Sequence, residues 1–172
     1  RIEFIKGAVR TIILWVGGYP HNKVTAFEAK MGFSGGMEYP TITSISPEIS
    51  EKDIDLTIEH EVGHNWNYGI LATNEREHPW MDEGMNTFFD NKYNLLKYGK
   101  RPQLERLGFE TKAVTKTDQP IEWPAEKFNA LNYDLVGYYK TAEWMRYLES
   151  QLGTGVFNKA MQEYFRRWQF RH

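Results

Sequence analysis

Ile2, Ile5, Val9, Ile12, Ile13 and Val16 recur at helical spacing and stop at Gly17-Gly18 with Pro20 beyond, which predicts an opening helix ended by glycine and proline. A strand over 11–16 is the competing reading. Stretches 23–29 and 41–46 favour β structure and flank the Gly-rich turn 32–36, so a small sheet follows. From 53 to 68 the positions 53, 57, 60, 64 and 67 are polar while Ile54, Ile58, Val62 and Trp66 line another face, an amphipathic helix started by Ser50 and Asp53 and stopped near Gly69. Residues 80–98 repeat the design, with a polar stripe of Glu83, Thr87, Asp90 and Asn94 and an apolar remainder of Met85, Phe88, Phe89, Leu95 and Leu96.

Residues 99–132, with Pro102, Pro120 and Pro124, read as mostly loop, and helices over 134–152 and 155 to about 170 close the chain. In the first of these, Leu135, Tyr138, Ala142, Met145 and Leu152 share an inward face, and Tyr139 points to solvent with Glu143, Arg146 and Ser150. In the second, Val156, Phe157, Ala160, Met161, Tyr164, Phe165 and Trp168 form a broad packing face; all six tryptophans are read as packing residues. His21, His78 and His172 are expected at the surface without partners.

With 172 residues, 41% of them hydrophobic, the chain can bury a core, and its length suits one domain or the catalytic portion of something larger. A net charge of −2 gives no electrostatic case for nucleic acid or an anionic membrane, and no apolar run approaches the length of a transmembrane segment. Without cysteine, any metal must be held by nitrogen and oxygen. The chain begins at Arg1 without a signal-peptide pattern, so the native start is expected upstream, and the compartment is undefined.

The two polar stripes carry the chemistry. His60 and His64 lie one helical turn apart, so both imidazoles reach a single ion, while Glu61, about 100° further round, reaches a water rather than the ion. After residues 65–82, Glu83 can supply a third ligand from the second helix, a two-His, one-carboxylate set with its fourth position open. Thr87 or Asp90 is a candidate to orient an imidazole N–H. A His-Glu-x-x-His run also occurs on ordinary solvated helices, and Asp82 and Glu83 also suit a helix N-terminus; the combination favours a metal site. Tyr138 can donate a hydrogen bond to a carbonyl oxygen that gains charge at the metal, or can be a buried phenol bonded to the backbone. Gly35-Gly36-Met37 can offer an exposed edge to an extended peptide, or can simply turn the chain.

Together, Gly35-Gly36-Met37-Glu38-Tyr39-Pro40, His60-Glu61-x-x-His64-Asn65-Trp66, Trp80-Met81-Asp82-Glu83-Gly84 and Tyr138-Tyr139-Lys140-Thr141-Ala142-Glu143 resemble, in order and spacing, the signatures of the membrane alanyl aminopeptidases, the aminopeptidase N-like gluzincins. The resemblance covers about 19–168. It implies one Zn2+ on His60, His64 and Glu83, Glu61 as general base, Tyr138 as oxyanion stabiliser, Glu38 on the substrate's free α-amino group, and an extended peptide along Gly35, Gly36 and Met37. The fold implied is α+β and mainly helical, thermolysin-like: a helix and part of a β-lobe over about 1–48, then a helical lobe over 49–172. Tyr39, Asn65 and Thr141 replace the family's asparagine, glutamine and glycine; Tyr39 bears on the first-residue pocket.

The family's N-terminal β-sandwich and C-terminal helical domains lie outside this sequence and are expected partners in the parent, so the isolated chain is expected to bind zinc and hydrolyse peptides poorly. The activity implied is removal of the N-terminal residue from peptides with a free N-terminus, by a water that the metal activates and Glu61 deprotonates. Two alternatives stand beside it: a non-catalytic zinc scaffold, and a gluzincin acting on another substrate, as an endopeptidase or epoxide hydrolase. The three-ligand set and Glu61 argue against the first, and Glu38 against the second.

Overall fold

The structure is a computed structural model that describes residues 1–47, 49–100 and 104–171. Pro102 and His172 lie outside the described residues. Helix α1 (Ile2–Trp15) forms as the spacing predicts, and the chain then enters a three-stranded sheet of β1 (Thr25–Glu28), β2 (Gly36–Met37) and β3 (Ile42–Ile45). Its order is β1-β3-β2: β1 runs parallel to β3 with Thr25 opposite Ile42, and β2 runs antiparallel with Gly36 opposite Ile45, leaving β2 as an edge.

Helix α2 (Glu51–His64) starts where the Ser50 side chain accepts from the Asp53 N–H at 3.2 Å. It continues through a wider π-helical stretch, Asn65–Ile70. A second π-helical stretch, Trp80–Gly84, leads into α3 (Met85–Tyr98), which ends on left-handed Gly99. A third, Tyr133–Lys140, follows the short α5 (Ala130–Asn132) and leads into α6 (Thr141–Leu152); α7 (Thr154–Trp168) closes the chain.

Ile54, Ile58, Val62 and Trp66 are all buried, and they pack in one core with Ala8, Ile12 and Trp15 of α1, Phe88, Phe89 and Tyr93 of α3, and Phe157, Met161 and Phe165 of α7. That core turns the polar face of α2 toward the start of α3. No helix among the described residues is long and apolar enough to cross a membrane.

Several expectations are corrected. The region read as loop contains α4 (Leu104–Thr115), a helix with no buried residue and therefore no apolar stripe to announce it. Leu95 and Leu96 of α3, Leu152 of α6, and Val156, Ala160 and Trp168 of α7 are exposed, as are Trp123 and Trp144, so the packing faces are narrower than predicted. Tyr139 is half-buried rather than solvent-facing. His21 and His78 are exposed, but His21 meets the ring edges of Tyr19 and Phe170, and His78 Nδ1 lies 3.8 Å from Glu122.

Candidate metal centre and cleft

One turn of α2 sets His60 Nε2 3.1 Å from His64 Nε2. Glu83, carried in by the second π-helical stretch, brings Oε2 to 3.2 Å from His60 Nε2 and 3.3 Å from His64 Nε2. The other ring nitrogens are engaged: His60 Nδ1 donates to Asp90 Oδ2 at 2.6 Å, and His64 Nδ1 to Asp82 Oδ1 at 2.5 Å. With Nδ1 of each ring engaged by a carboxylate, the two Nε2 atoms and the Glu83 oxygen are left converging on one point. Oε2 of Glu83 is buried without a hydrogen-bond partner among the described residues. Three ligands at about 2.0–2.1 Å from a tetrahedral zinc stand about 3.3 Å apart. The triangle therefore fits that ion, with hard carboxylate and borderline imidazole donors that suit it. Glu38, His64 and Asp82 also approach one another, but Asp82 is committed to the ring it orients, so the first set is the better candidate for a metal.

Burial alone would keep both imidazoles neutral, yet Asp90 beside His60, and Asp82 and Glu83 beside His64, push their pKa values well above the ordinary histidine value. Glu83 is driven the other way: burial opposes its charge, but the two rings hold it below the usual carboxylate range. Glu61 sits beside the triangle, buried, with Oε2 unpartnered among the described residues, and burial raises its pKa to about 7. The Tyr138 ring stacks on His60 at 6.0 Å, its hydroxyl pushed up by burial and by Glu83. Glu38 is half-buried, its carboxyl raised by the same desolvation.

Glycines permit this crowding. A Cβ on Gly36 would lie 2.4 Å from Glu61 Cγ, so β2 can cover that carboxylate only without a side chain there. A Cβ on Gly84 would lie 2.5 Å from the Gly137 carbonyl and 2.4 Å from Thr141 Cβ, so Gly84 lets the Tyr138 segment approach Glu83.

Two residues escaped the sequence reading. Asp82, read as a helix-terminal acid, holds His64, while Thr87 is buried with Oγ1 unpartnered among the described residues and bonds to neither ring. Asn86, buried at the start of α3, donates from Nδ2 to the His60 carbonyl at 2.7 Å and accepts from Asn67 at 2.9 Å; a Cβ on Gly63 would lie 2.2 Å from its Oδ1. The available signals were a carboxylate beside the candidate ligand Glu83 and a glycine between the two histidines.

Two cavities meet over the triangle, sharing Phe33, Gly36, His60, Glu61 and Tyr138. One, of about 510 Å³, contains Met37, Glu38 and Tyr133; the other, of about 950 Å³, contains Gly35, Thr87, Asp90 and Tyr139.

Residues 35–172 match the Peptidase family M1 domain, and the chain belongs to that family. It is 28% identical over 148 residues to leucine aminopeptidase 2 of Ajellomyces capsulatus, covering 78% of this chain and 23% of that protein, and 28% identical over 153 residues to the Coccidioides immitis leucine aminopeptidase 2, covering 78% and 24%. The fold is similar to that of the M1 zinc metallopeptidase from Deinococcus radiodurans (TM-score 0.73, 17% identity, 95% of this chain and 36% of that one). It is also similar to native leukotriene A4 hydrolase from Saccharomyces cerevisiae (TM-score 0.68, 19% identity, 98% and 28%). The chain thus spans about a quarter of the length of these curated relatives.

Proposed function

We propose that this chain is the catalytic part of a zinc-dependent aminopeptidase that removes the N-terminal residue of peptides. The observation that carries the reading is the His60–His64–Glu83 triangle flanked by the unpartnered Glu61 carboxylate, in a cavity whose wall includes Glu38. The ion, when bound, supplies Lewis-acid polarisation of the scissile carbonyl and acidifies a water.

Glu61 takes a proton from the attacking water and delivers it to the leaving amine. Tyr138 donates its hydroxyl proton in a hydrogen bond to the carbonyl oxygen as that oxygen gains charge. Glu38 accepts from the substrate's α-ammonium, which fixes the first peptide bond over the metal and makes the enzyme an exopeptidase. Gly35, Gly36 and Met37 give the substrate backbone an edge to pair with, and Asp82 and Asp90 hold the two imidazoles in the tautomer that leaves Nε2 for the ion. The domains that flank the catalytic part in the parent complete the cleft, so the isolated chain binds zinc and turns over poorly.

The test uses the intact parent, with a free and an N-acetylated aminoacyl-anilide. Only the free substrate is expected to turn over, and Glu61→Gln is expected to keep zinc and lose turnover. Equal rates on both substrates, or full activity in Glu61→Gln, would overturn the reading.

A further inference from the structure

Glu38 stands outside the strand ladder: β2 ends at Met37, opposite Ser44 of β3, and the chain then turns back through Tyr39, Pro40 and Thr41. Its place is therefore set by the two ends of a short loop. At one end the Thr43 hydroxyl donates to the Met37 carbonyl at 3.1 Å. At the other the Ile42 N–H donates to the Tyr39 carbonyl at 3.0 Å with Thr41 at φ +68°, the pattern of a type II turn with proline second and a left-handed residue third. Glycine suits that third position, and a β-branched threonine is strained there.

Asn65 holds the strained residue. Buried directly after His64, it accepts from the Thr41 N–H at 2.7 Å through Oδ1, while its Nδ2 donates to the Val62 carbonyl at 2.9 Å and so fixes the direction of the amide. The Tyr19 hydroxyl, 3.5 Å from the same Asn65 oxygen, has a nearer acceptor in the Lys23 carbonyl at 2.8 Å. On its other side the Thr41 carbonyl accepts from the Thr25 N–H of β1 at 2.8 Å. Both backbone groups of the turn residue are thus tied, one of them to the helical run that carries the histidines. Consecutive residues there serve the metal site and the turn beside the amine anchor, and the ligand atoms of Glu38 and His64 lie within 4.8 Å of each other.

We propose that Asn65 is a positioning residue that keeps Glu38 in its working place beside the metal by holding Thr41 in the left-handed turn. The proposal rests on the aminopeptidase reading and deepens it to the device that sets where the substrate's terminus is held. Without the Asn65 acceptor, the strain at Thr41 lowers the population of the turn by about tenfold. Substrate must then select the remaining fraction, which raises its apparent dissociation constant by the same factor and leaves the bound geometry, and so the chemical step, as before.

The test measures kcat and KM of the zinc-loaded full-length parent on alanyl-anilide. Asn65→Ala is expected to raise KM about tenfold and to change kcat less than about threefold, with zinc retained. Thr41→Gly alone is expected to leave KM unchanged. Added to Asn65→Ala, it is expected to bring KM back to within about threefold of the unmodified value, because glycine takes a positive φ without strain. A merely structural loss would instead lower the active fraction, and with it the apparent kcat, at unchanged KM. Thr41→Pro removes the same N–H and forbids the left-handed conformation from within the turn, so its KM is expected to rise likewise and decides the matter if Asn65→Ala does not fold. An unchanged KM in Asn65→Ala or Thr41→Pro, or a rise in Asn65→Ala that Thr41→Gly does not relieve, would overturn the positioning role while leaving the aminopeptidase in place. No turnover of free alanyl-anilide by the unmodified parent would overturn both.

Discussion

Gly36→Ala isolates the position of Glu61, the proposed general base, from the rest of the fold. The added Cβ would lie 2.4 Å from Glu61 Cγ and 2.5 Å from its Cδ and Oε1, whereas ordinary van der Waals contact begins at about 3.4 Å, so one partner must move by roughly 1 Å. The partner that yields is the Glu61 side chain, which has rotatable bonds, rather than β2, which is hydrogen-bonded to β3. A misplacement of about 1 Å at a reacting group costs on the order of 10²-fold in rate. The variant is therefore expected to lose about 10²-fold in kcat while retaining its zinc and losing less than about 1 kcal/mol in stability. Stopped assays on the intact parent, metal analysis and a denaturant titration measure the three quantities. A kcat within threefold of the unmodified enzyme would refute the argument that β2 fixes this carboxylate, and a collapse of stability would show that the strand moves instead.

Asp82→Ala leaves His64 Nδ1 without its acceptor and is expected to weaken zinc binding about 10–100-fold, read by chelator competition. Gly63→Ala drives its methyl into Asn86, breaking the bonds to the His60 carbonyl and to Asn67, and is expected to cost about 1–3 kcal/mol by denaturant titration. Metal removal should invert the pH dependence of stability. His60 and His64 have folded pKa values raised by Asp90, Asp82 and Glu83, so in the metal-free protein their contribution is full below pH about 6.5 and lost as pH rises through the raised values. Glu61, raised by burial to about 7, acts in the same direction as it ionises. Zinc requires neutral rings, so the loaded protein gains over the same range; parallel Tm profiles for the two forms would contradict this.

Where the backbone is a regular helix with one wet and one dry face, the sequence pattern was a sufficient guide: Ile54, Ile58, Val62 and Trp66 are buried, and the opposite face carries both histidines. It failed where the helix widens. Residues 133–140 are π-helical, so counting 3.6 residues per turn sends Tyr139 outward, although its side chain lines the larger cavity. Helix α4 left no stripe because none of its residues is buried, and Val156 and Trp168 look like core by composition although both are exposed. The triangle was visible because metal ligands come in fixed spacings; Asp82 and Asn86 were not, because residues that hold a ligand from behind need only be near it in space.

The sheet edge over the metal is two residues long. So short a rail offers a visiting chain only one or two main-chain hydrogen bonds before it runs out, which leaves most of the grip to the charged terminus and the groove beyond.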